Sequence, residues 1–359
     1  MRKVLFVLAD FEPGGAERVI TTLAQHLPRD QFELHLALVA ARGRLRDQLP
    51  ADVRVHDLAA RRVRWAALPL CRLIRRVRPD VVLSTLGYVN IALILLRPFL
   101  PRGIPLIVRE ANTPSAELAG VGWPRLWRAA YRRLYPRAAA IVCPARSICD
   151  DLADGFGVPR SKLRHIPNPV DVGRVLESRR ASSSPYTEIG PHVLGVGRLV
   201  AQKGFDRLID GFARVFREHG TAQLWILGEG PERAALVARA EAQGIAARVH
   251  LPGDIADPYP WMSHADVFVL SSRFEGLPNV VLEALACGTR VVAFDAPGGS
   301  REILEGLDGT LLVTDGELDA LAVAIARCLG PSPPPQPELP VRFHLEAALQ
   351  AYAELLSAA

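Results

Sequence analysis

The sequence predicts an α/β protein built from two doubly wound, mostly parallel sheets. Three observations predict it. Short apolar runs alternate with helical patterns along the whole chain. The loops that follow several of these runs carry glycine where a strand turns into a helix. The 359 residues suffice for two domains and their charge is divided: residues 1–180 hold 30 Lys and Arg against 16 Asp and Glu, and residues 181–359 hold 13 against 22. The boundaries read as a first domain over 1–176, a linker over 177–188, a second domain over 189–340 and a final helix over 341–359 that packs back on the first domain.

In the first half, residues 3–9 are a β-branched apolar strand, and Gly14 and Gly15 open a helix that runs to about Leu27. Their amides lie at a helix N-terminus at the carboxyl end of a strand. A tight turn and a phosphate or acceptor role stand there as equal readings, and the spacing is not a dinucleotide fingerprint. Residues 32–39, 53–58, 80–84, 105–109 and 139–143 continue the strands. The apolar stretch 86–96, interrupted by Asn90, is too short to span a bilayer and reads as a core helix. Arg109-Glu110-Ala111-Asn112 follows a strand, so Glu110 and Asn112 are candidates to hold an acceptor hydroxyl, with turn chemistry as the bland alternative.

Two basic segments stand out. Residues 61–78 carry seven Arg among apolar residues, and residues 123–137 mix five Arg with Trp123, Trp127, Tyr131 and Tyr135, whose four-residue spacing predicts one helical face. An anionic membrane surface and a solvated basic face over a core stripe both fit. Pro167 and Pro169 stiffen a hinge, and residues 178–188, with four Ser and a Pro, read as an exposed linker.

The second half restarts with a strand over 192–196. The loop Gly197 to Gly204 then brings Arg198 and Lys203 together as two cations able to clamp a diphosphate, and surface cations are the plain alternative. After the strand 223–227, Gly228 and Gly230 allow a flat nucleoside close approach; after the strand 248–251, Asp254 is placed to meet a base edge. The strand 267–270 leads into the stretch on which the reading turns, Glu275-Gly276-Leu277 and a helix bearing Glu283 that Gly288 ends as its C′ residue. Two carboxylates flank amides at a helix N-terminus, so each can take a vicinal diol while the amides meet anionic oxygens. An acidic first turn favoured by the helix dipole is the alternative. Strands over 290–294 and 309–313 close the sheet, with a Pro-Gly-Gly turn between them, and a Pro-rich connector precedes the last helix.

Composition excludes several classes. The net charge of +5 comes with no zinc-finger spacing or RNA-binding sheet motif, so no nucleic-acid partner is expected. Five scattered Cys fit reduced thiols and no metal site, and no secretory leader is read, which together predict a cytoplasmic protein.

Taken in series, Gly14-Gly15-Ala16-Glu17-Arg18, Pro167-Asn168-Pro169-Val170-Asp171, Gly197-Arg198 with Lys203-Gly204, Gly228-Glu229-Gly230 and Glu275 with Glu283 resemble the retaining glycosyltransferases of family four, over nearly the whole chain. The resemblance implies the GT-B fold, two facing Rossmann-like domains with a C-terminal helix crossing back to the first. It implies that Arg198, Lys203 and Glu275 are catalytic. Gly15, Gly228, Gly230, Asp254, Gly276, Leu277 and Glu283 would bind the donor, and Gly14, Glu110 and Asn112 would meet the acceptor. It further implies a nucleotide-sugar donor, most simply a UDP-sugar, and a polyprenyl-diphosphate-linked or other envelope glycan acceptor. The reaction would need no metal or other cofactor and would occur at the cytoplasmic face of the inner membrane. A GDP-mannose or UDP-glucose transferase, or a non-catalytic nucleotide-sugar-binding protein, are the alternatives. Many members carry a His after the strand ending near Arg109; this chain has Glu110 and Asn112 in that neighbourhood instead.

Overall fold

The computed structural model describes residues 1–12, 14–181 and 183–359. The chain forms two compact units: Met1–Pro169 with Leu345–Ala359, and Val170–His344. The thirteen strands of the described residues are β1 (Arg2–Leu8), β2 (Phe32–Leu38), β3 (Arg54–Asp57), β4 (Val81–Thr85), β5 (Leu106–Arg109), β6 (Ala140–Cys143) and β7 (Leu163–His165) in the first unit. The second unit holds β8 (His192–Val196), β9 (Gln223–Leu227), β10 (Val249–Gly253), β11 (Val267–Leu270), β12 (Val291–Phe294) and β13 (Thr310–Val313).

The first unit is a parallel sheet in the order β3-β2-β1-β4-β5-β6-β7, so strand order reverses between β1 and β4. Both faces are buried, which is why its strands read as continuous apolar runs. Along β1, Val4, Phe6 and Leu8 join one core cluster while Leu5 and Val7 join the other, as a period of two requires. The first cluster includes Tyr352 and Leu356 of the helix Leu345–Ala358, so the C-terminal segment is built into this unit's core. The second is closed by Leu70, Leu73 and Ile74 of the helix Ala67–Val77 and by Val89 and Leu93 of the helix Gly87–Leu95. Strand β7 was not expected; its three residues Leu-Arg-His carry no apolar run to announce it.

The second unit's sheet has the order β10-β9-β8-β11-β12-β13, with its reversal between β8 and β11. Its core packs Val193, Ile226, Val269 and Phe294 against Leu208 and Phe212 of the helix Phe205–Glu218 and Leu321 and Ile325 of the helix Leu318–Leu329. All six strands lie where the sequence puts them, within a residue or two.

Two expectations are corrected. The chain passes between units at Pro169–Val170, not over 177–188; the helix Val172–Ala181 occupies the start of the supposed linker. Beyond Ser182, which lies outside the described residues, Tyr186 stacks on His192 at 4.0 Å and donates its hydroxyl to the Trp261 carbonyl at 2.7 Å. One half-buried aromatic thus anchors a polar stretch that composition alone marks as free. The second correction concerns Trp123, Trp127, Tyr131 and Tyr135. The helix spans Pro124–Leu134, and a four-residue step overshoots the 3.6-residue turn by about 40° each time. Trp123, moreover, precedes the helix as its N-cap at φ 65° and is 80% exposed, while Tyr131 and Tyr135 are buried.

Tyr352 fills the first unit's core with no exposed surface. Tyr352→Ala is expected to destabilise that unit by about 3–5 kcal/mol, measured by denaturant unfolding.

Candidate functional site

The second unit presents the better-defined site. In an open parallel sheet, ligands bind beyond the carboxyl ends of the strands where strand order reverses. Here that point is flanked by the loop after β8, carrying Arg198 and Lys203, and the loop after β11, carrying Glu275. The two loops are joined directly. Lys203 Nζ lies 2.6 Å from Oε1 of Glu275, with the lysine side chain 18% and the glutamate 7% exposed. Ser272 donates its hydroxyl to the same oxygen at 2.7 Å, Ser271 donates to the Lys203 carbonyl at 3.0 Å, and Gln202 donates its side-chain amide to the Phe274 carbonyl at 3.1 Å. A pair this buried is held at a cost of desolvation, so it is poor evidence for a role in stability and good evidence for a fixed charge arrangement.

Neighbouring loops close on these two by backbone contact. Gly228 has φ 141°, and a Cβ there would sit 1.9 Å from the Gly197 carbonyl oxygen; one at Gly230 would sit 2.4 Å from that of Leu199. The loop after β9 therefore lies flat on the loop that bears Arg198. Gly228 N–H donates to the Gly253 carbonyl at 2.8 Å, which brings Asp254, exposed at the end of β10, to the same corner. On the other side, Glu275 N–H donates to Pro297 at 2.9 Å and Gly299 N–H to Gly276 at 2.6 Å, so the Pro-Gly-Gly turn after β12 braces the Glu275 loop. Arg198 is exposed and its guanidinium makes no ion pair or hydrogen bond among the described residues.

Gly276 and Leu277 are buried ahead of the helix Asn279–Ala286, within which Glu283 is 7% exposed. Gly288 ends that helix at φ 75°, with Gly288 N–H on Leu285 at 2.9 Å and Thr289 N–H on Ala284 at 3.0 Å, the C-terminal cap expected of it. Lys203 and Glu275 are thus brought into contact, Gly228, Gly230 and Asp254 adjoin the Arg198 loop, and Glu283 shares its helix with the Glu275 loop. Ser272 and the 297–299 brace were not assigned roles in advance. The Pro-Gly-Gly turn after a strand is the signal for the latter.

The first unit carries a second group of polar residues at the carboxyl ends of β4 and β5. Glu110 is wholly buried. Tyr135 donates its hydroxyl to Oε1 of Glu110; Asn90 Nδ2 reaches the Arg109 carbonyl at 2.9 Å, the Tyr135 hydroxyl at 3.2 Å and Glu110 Oε1 at 3.3 Å. Ser84 donates to Asn90 Oδ1 at 2.7 Å. Oε2 of Glu110 is buried with no hydrogen-bond partner among the described residues. Burial, reinforced by the Glu117 carboxylate, outweighs the hydrogen bonds of Tyr135 and Asn90 and the charge of Arg109, and pushes Glu110 up to about 8. Asn112 hydrogen-bonds Glu117, whose carboxyl is also raised by burial. Asn90, the residue that interrupts an apolar stretch, is the hub of this network, and neither it nor Tyr135 was assigned to a site beforehand. Gly14 precedes the helix Gly15–His26, and a Cβ at Gly14 would lie 2.3 Å from Oε2 of Glu17. The missing side chain makes room for a carboxylate folded back on the helix N-terminus, where the dipole favours it.

Residues 13–174 match the family model described as Glycosyltransferase Family 4, and residues 190–330 the one described as Glycosyl transferases group 1. The lipopolysaccharide core biosynthesis glycosyltransferase LpsE of Rhizobium meliloti (strain 1021) is 30% identical over 354 residues, 96% of each chain. A Campylobacter jejuni protein is 27% identical over 87% of this chain and 86% of its own. It is named N-acetylgalactosamine-N,N'-diacetylbacillosaminyl-diphospho-undecaprenol 4-alpha-N-acetylgalactosaminyltransferase. Among solved structures, Anabaena HepE in complex with UDP and glucose matches with a TM-score of 0.82 at 21% identity over 100% of both chains, a likeness of fold.

The folded protein keeps a proton on Glu110 up to about pH 8, whereas the unfolded chain releases it near the ordinary 4.5. This group's contribution to stability is present in full below the lower value and lost as pH rises through the upper one. Glu110→Gln, which still accepts from Tyr135, is expected to flatten the fall in melting temperature across that window. Melting curves of the two proteins at a series of pH values check it.

Proposed function

The chain belongs to glycosyltransferase family 4, and on that premise we propose that it moves a hexosyl or N-acetylhexosaminyl group from a UDP-sugar to a lipid-linked saccharide or other cell-envelope glycan, with retention of configuration. The observation that carries this reading is the buried Lys203–Glu275 pair at the reversal point of the second sheet. The name of the Campylobacter relative, which specifies a diphospho-undecaprenol acceptor, supports the acceptor class, and the UDP and glucose held by the Anabaena protein support the donor class.

In this reading Lys203 and Arg198 face the donor diphosphate. The bond between the anomeric carbon and the diphosphate oxygen breaks with its electron pair leaving on the diphosphate, and the two cations stabilise that charge as it develops. The acceptor hydroxyl bonds to the anomeric carbon on the same face, and its proton passes to the departing diphosphate. No protein nucleophile takes part, which separates this chemistry from the paired carboxylates of retaining glycosidases. Glu275 accepts from sugar hydroxyls while fixing Lys203, Glu283 accepts from ribose hydroxyls, and the amides of Gly276 and Leu277 support anionic oxygens. Gly228 and Gly230 leave room for the nucleoside, and Asp254 meets its base edge. Gly15 lies on the donor side, and Gly14, Glu110 and Asn112 serve the acceptor side. The reaction runs without a metal ion.

We also propose that the first unit rests on the cytoplasmic face of an anionic membrane. No helix of the described residues is long and apolar enough to cross a membrane. Trp65, Leu68, Leu95, Phe99, Trp123 and Leu126 are each 55% exposed or more, and the helix Gly87–Leu95 lies against the turns and helices that carry most of them. Exposed apolar side chains among arginines suit a leaflet interface.

Lys203→Ala would strand the Glu275 carboxylate in a buried site, so Lys203→Gln is the better probe. Lys203→Gln is expected to lower turnover by roughly 10²–10³-fold. Glu283→Gln is expected to weaken donor binding by roughly tenfold or more. Both should keep the wild-type melting temperature within a few degrees. Product mass analysis with UDP-sugars and a polyprenyl-diphosphate-linked acceptor reads the first, and the thermal shift caused by UDP against GDP reads the second. Unchanged transfer in Lys203→Gln would sink the assignment.

A further inference from the structure

The two sheets end in four edge strands, β3, β7, β10 and β13. An edge strand offers unpaired backbone groups to any other chain, and proteins blunt such edges with charge, proline, bulges or short length. Three of the four are blunted. β3 reads Arg-Val-His-Asp. β7 has only three residues, Leu-Arg-His. β10 carries Pro252, and its register shifts between His250 and Gly253. β13 reads Thr310-Leu311-Leu312-Val313 in unbroken register, with no charge and no proline.

The ladder with β12 shows which backbone groups β13 has to spare. Val291 N–H donates to the Gly309 carbonyl at 3.2 Å, and Asp295 N–H to that of Val313 at 2.7 Å. Residues 309, 311 and 313 thus face β12, and the backbone groups of Thr310, Leu312 and Thr314 point away from the sheet. Among these, the Thr314 carbonyl also accepts from Glu317 N–H at 3.1 Å and keeps a second lone pair. Leu311 and Val313 pack on the core. On the other face Thr310 donates its hydroxyl to the carbonyls of Leu304 at 2.9 Å and Leu307 at 2.7 Å, which fixes the strand against the turn after the helix Ser300–Leu304. Thr310, Leu312 and Thr314 line, with Glu305, Leu307 and Asp308, a groove of about 660 Å³, so the free side of the strand is open.

We infer that β13 is a dimerisation edge, and that its occupant is the β13 of a second copy of this chain, antiparallel about a two-fold axis at Leu312. The strand is self-complementary in that register. Thr310 meets the partner's Thr314, Leu311 meets the partner's Val313, and Leu312 meets its own counterpart. Threonine pairs and aliphatic pairs are favourable cross-strand neighbours. Asp315 falls opposite Gly309, so no two charges come face to face. The residues opposite each other exchange both backbone hydrogen bonds wherever they point outward, which satisfies the spare groups of Thr310, Leu312 and Thr314 together. An isologous contact requires this kind of symmetry, because both copies supply the same surface. A strand from a foreign protein requires none. The inference concerns only the second unit's edge and does not rest on the transferase reading.

The test is sedimentation velocity of the full-length protein over a dilution series, with two variants at the axis, Leu312→Lys and Leu312→Glu. The wild type is expected to dimerise reversibly. Each variant alone sets like charges directly opposite and is expected to associate about tenfold more weakly or worse. An equimolar mixture of the two sets Lys opposite Glu and is expected to recover the dimer, which a change of fold or a contact elsewhere on the surface cannot do. Amide exchange of the unmodified protein gives a second reading that needs no substitution: the Thr310, Leu312 and Thr314 amides are expected to exchange slowly in the concentrated protein and faster on dilution. A wild type that stays monomeric at every concentration would leave the edge to a strand of another protein and overturn the proposal. So would a dimer that Leu312→Lys leaves intact, or a mixture that fails to recover it while both variants keep the wild-type melting temperature. If the variants do not fold, concentration-independent exchange at the three amides overturns it instead.

Discussion

The contact between Lys203 and Glu275 is what the second unit is arranged to hold. It costs desolvation of two charges, and an apolar pair of similar volume would serve a core at least as well. The surroundings make sense once the pair is taken as fixed. Ser272 supports Glu275 from its own loop, Gln202 and Ser271 tie the two loops together, and the turn at 297–299 supports the far side. The glycines at 228 and 230 let a third loop lie flat against the first. Each contact narrows where an ammonium group can sit, and that restriction is what stabilisation of a leaving anion needs.

The two units treat buried carboxylates in opposite ways. Glu275 is matched by a cation and a hydroxyl, so its charge is compensated. Glu110 is surrounded by Tyr135, Asn90 and a nearby second carboxylate, so burial prevails and keeps it protonated through neutral pH. A neutral carboxyl can donate as well as accept, which suits the recognition of hydroxyl groups, whereas a compensated carboxylate suits the positioning of a cation. The same residue type thus supplies two chemistries, set by whether Lys or Tyr lies beside it.

Much of this was legible in the sequence for simple reasons. Parallel strands buried on both faces leave apolar runs, and twelve of thirteen were found that way; β7 was missed because three residues at the sheet's edge need little apolar content. The loops bearing Lys203, Gly228 and Glu275 were visible because a strand, a glycine and a helix start follow each other at short spacing. Three features were hidden. The supposed linker is partly helical and pinned by Tyr186, a single side chain that composition cannot weigh. The aromatic series 123–135 turns about the helix because four is not 3.6. Asn90, Tyr135 and Glu110 are 20 to 45 residues apart in the chain and meet only through β4, β5 and the packing of two helices, so no local pattern reveals the network.

The most direct measurement is a crystal structure of the protein with an intact UDP-sugar bound. The expected result is diphosphate oxygens within hydrogen-bond distance of Lys203 and Arg198, the sugar hydroxyls on Glu275, the ribose on Glu283 and the base over Gly228 and Gly230. A nucleotide sugar bound with Lys203 and Glu275 still paired to each other and out of reach of the diphosphate would contradict it.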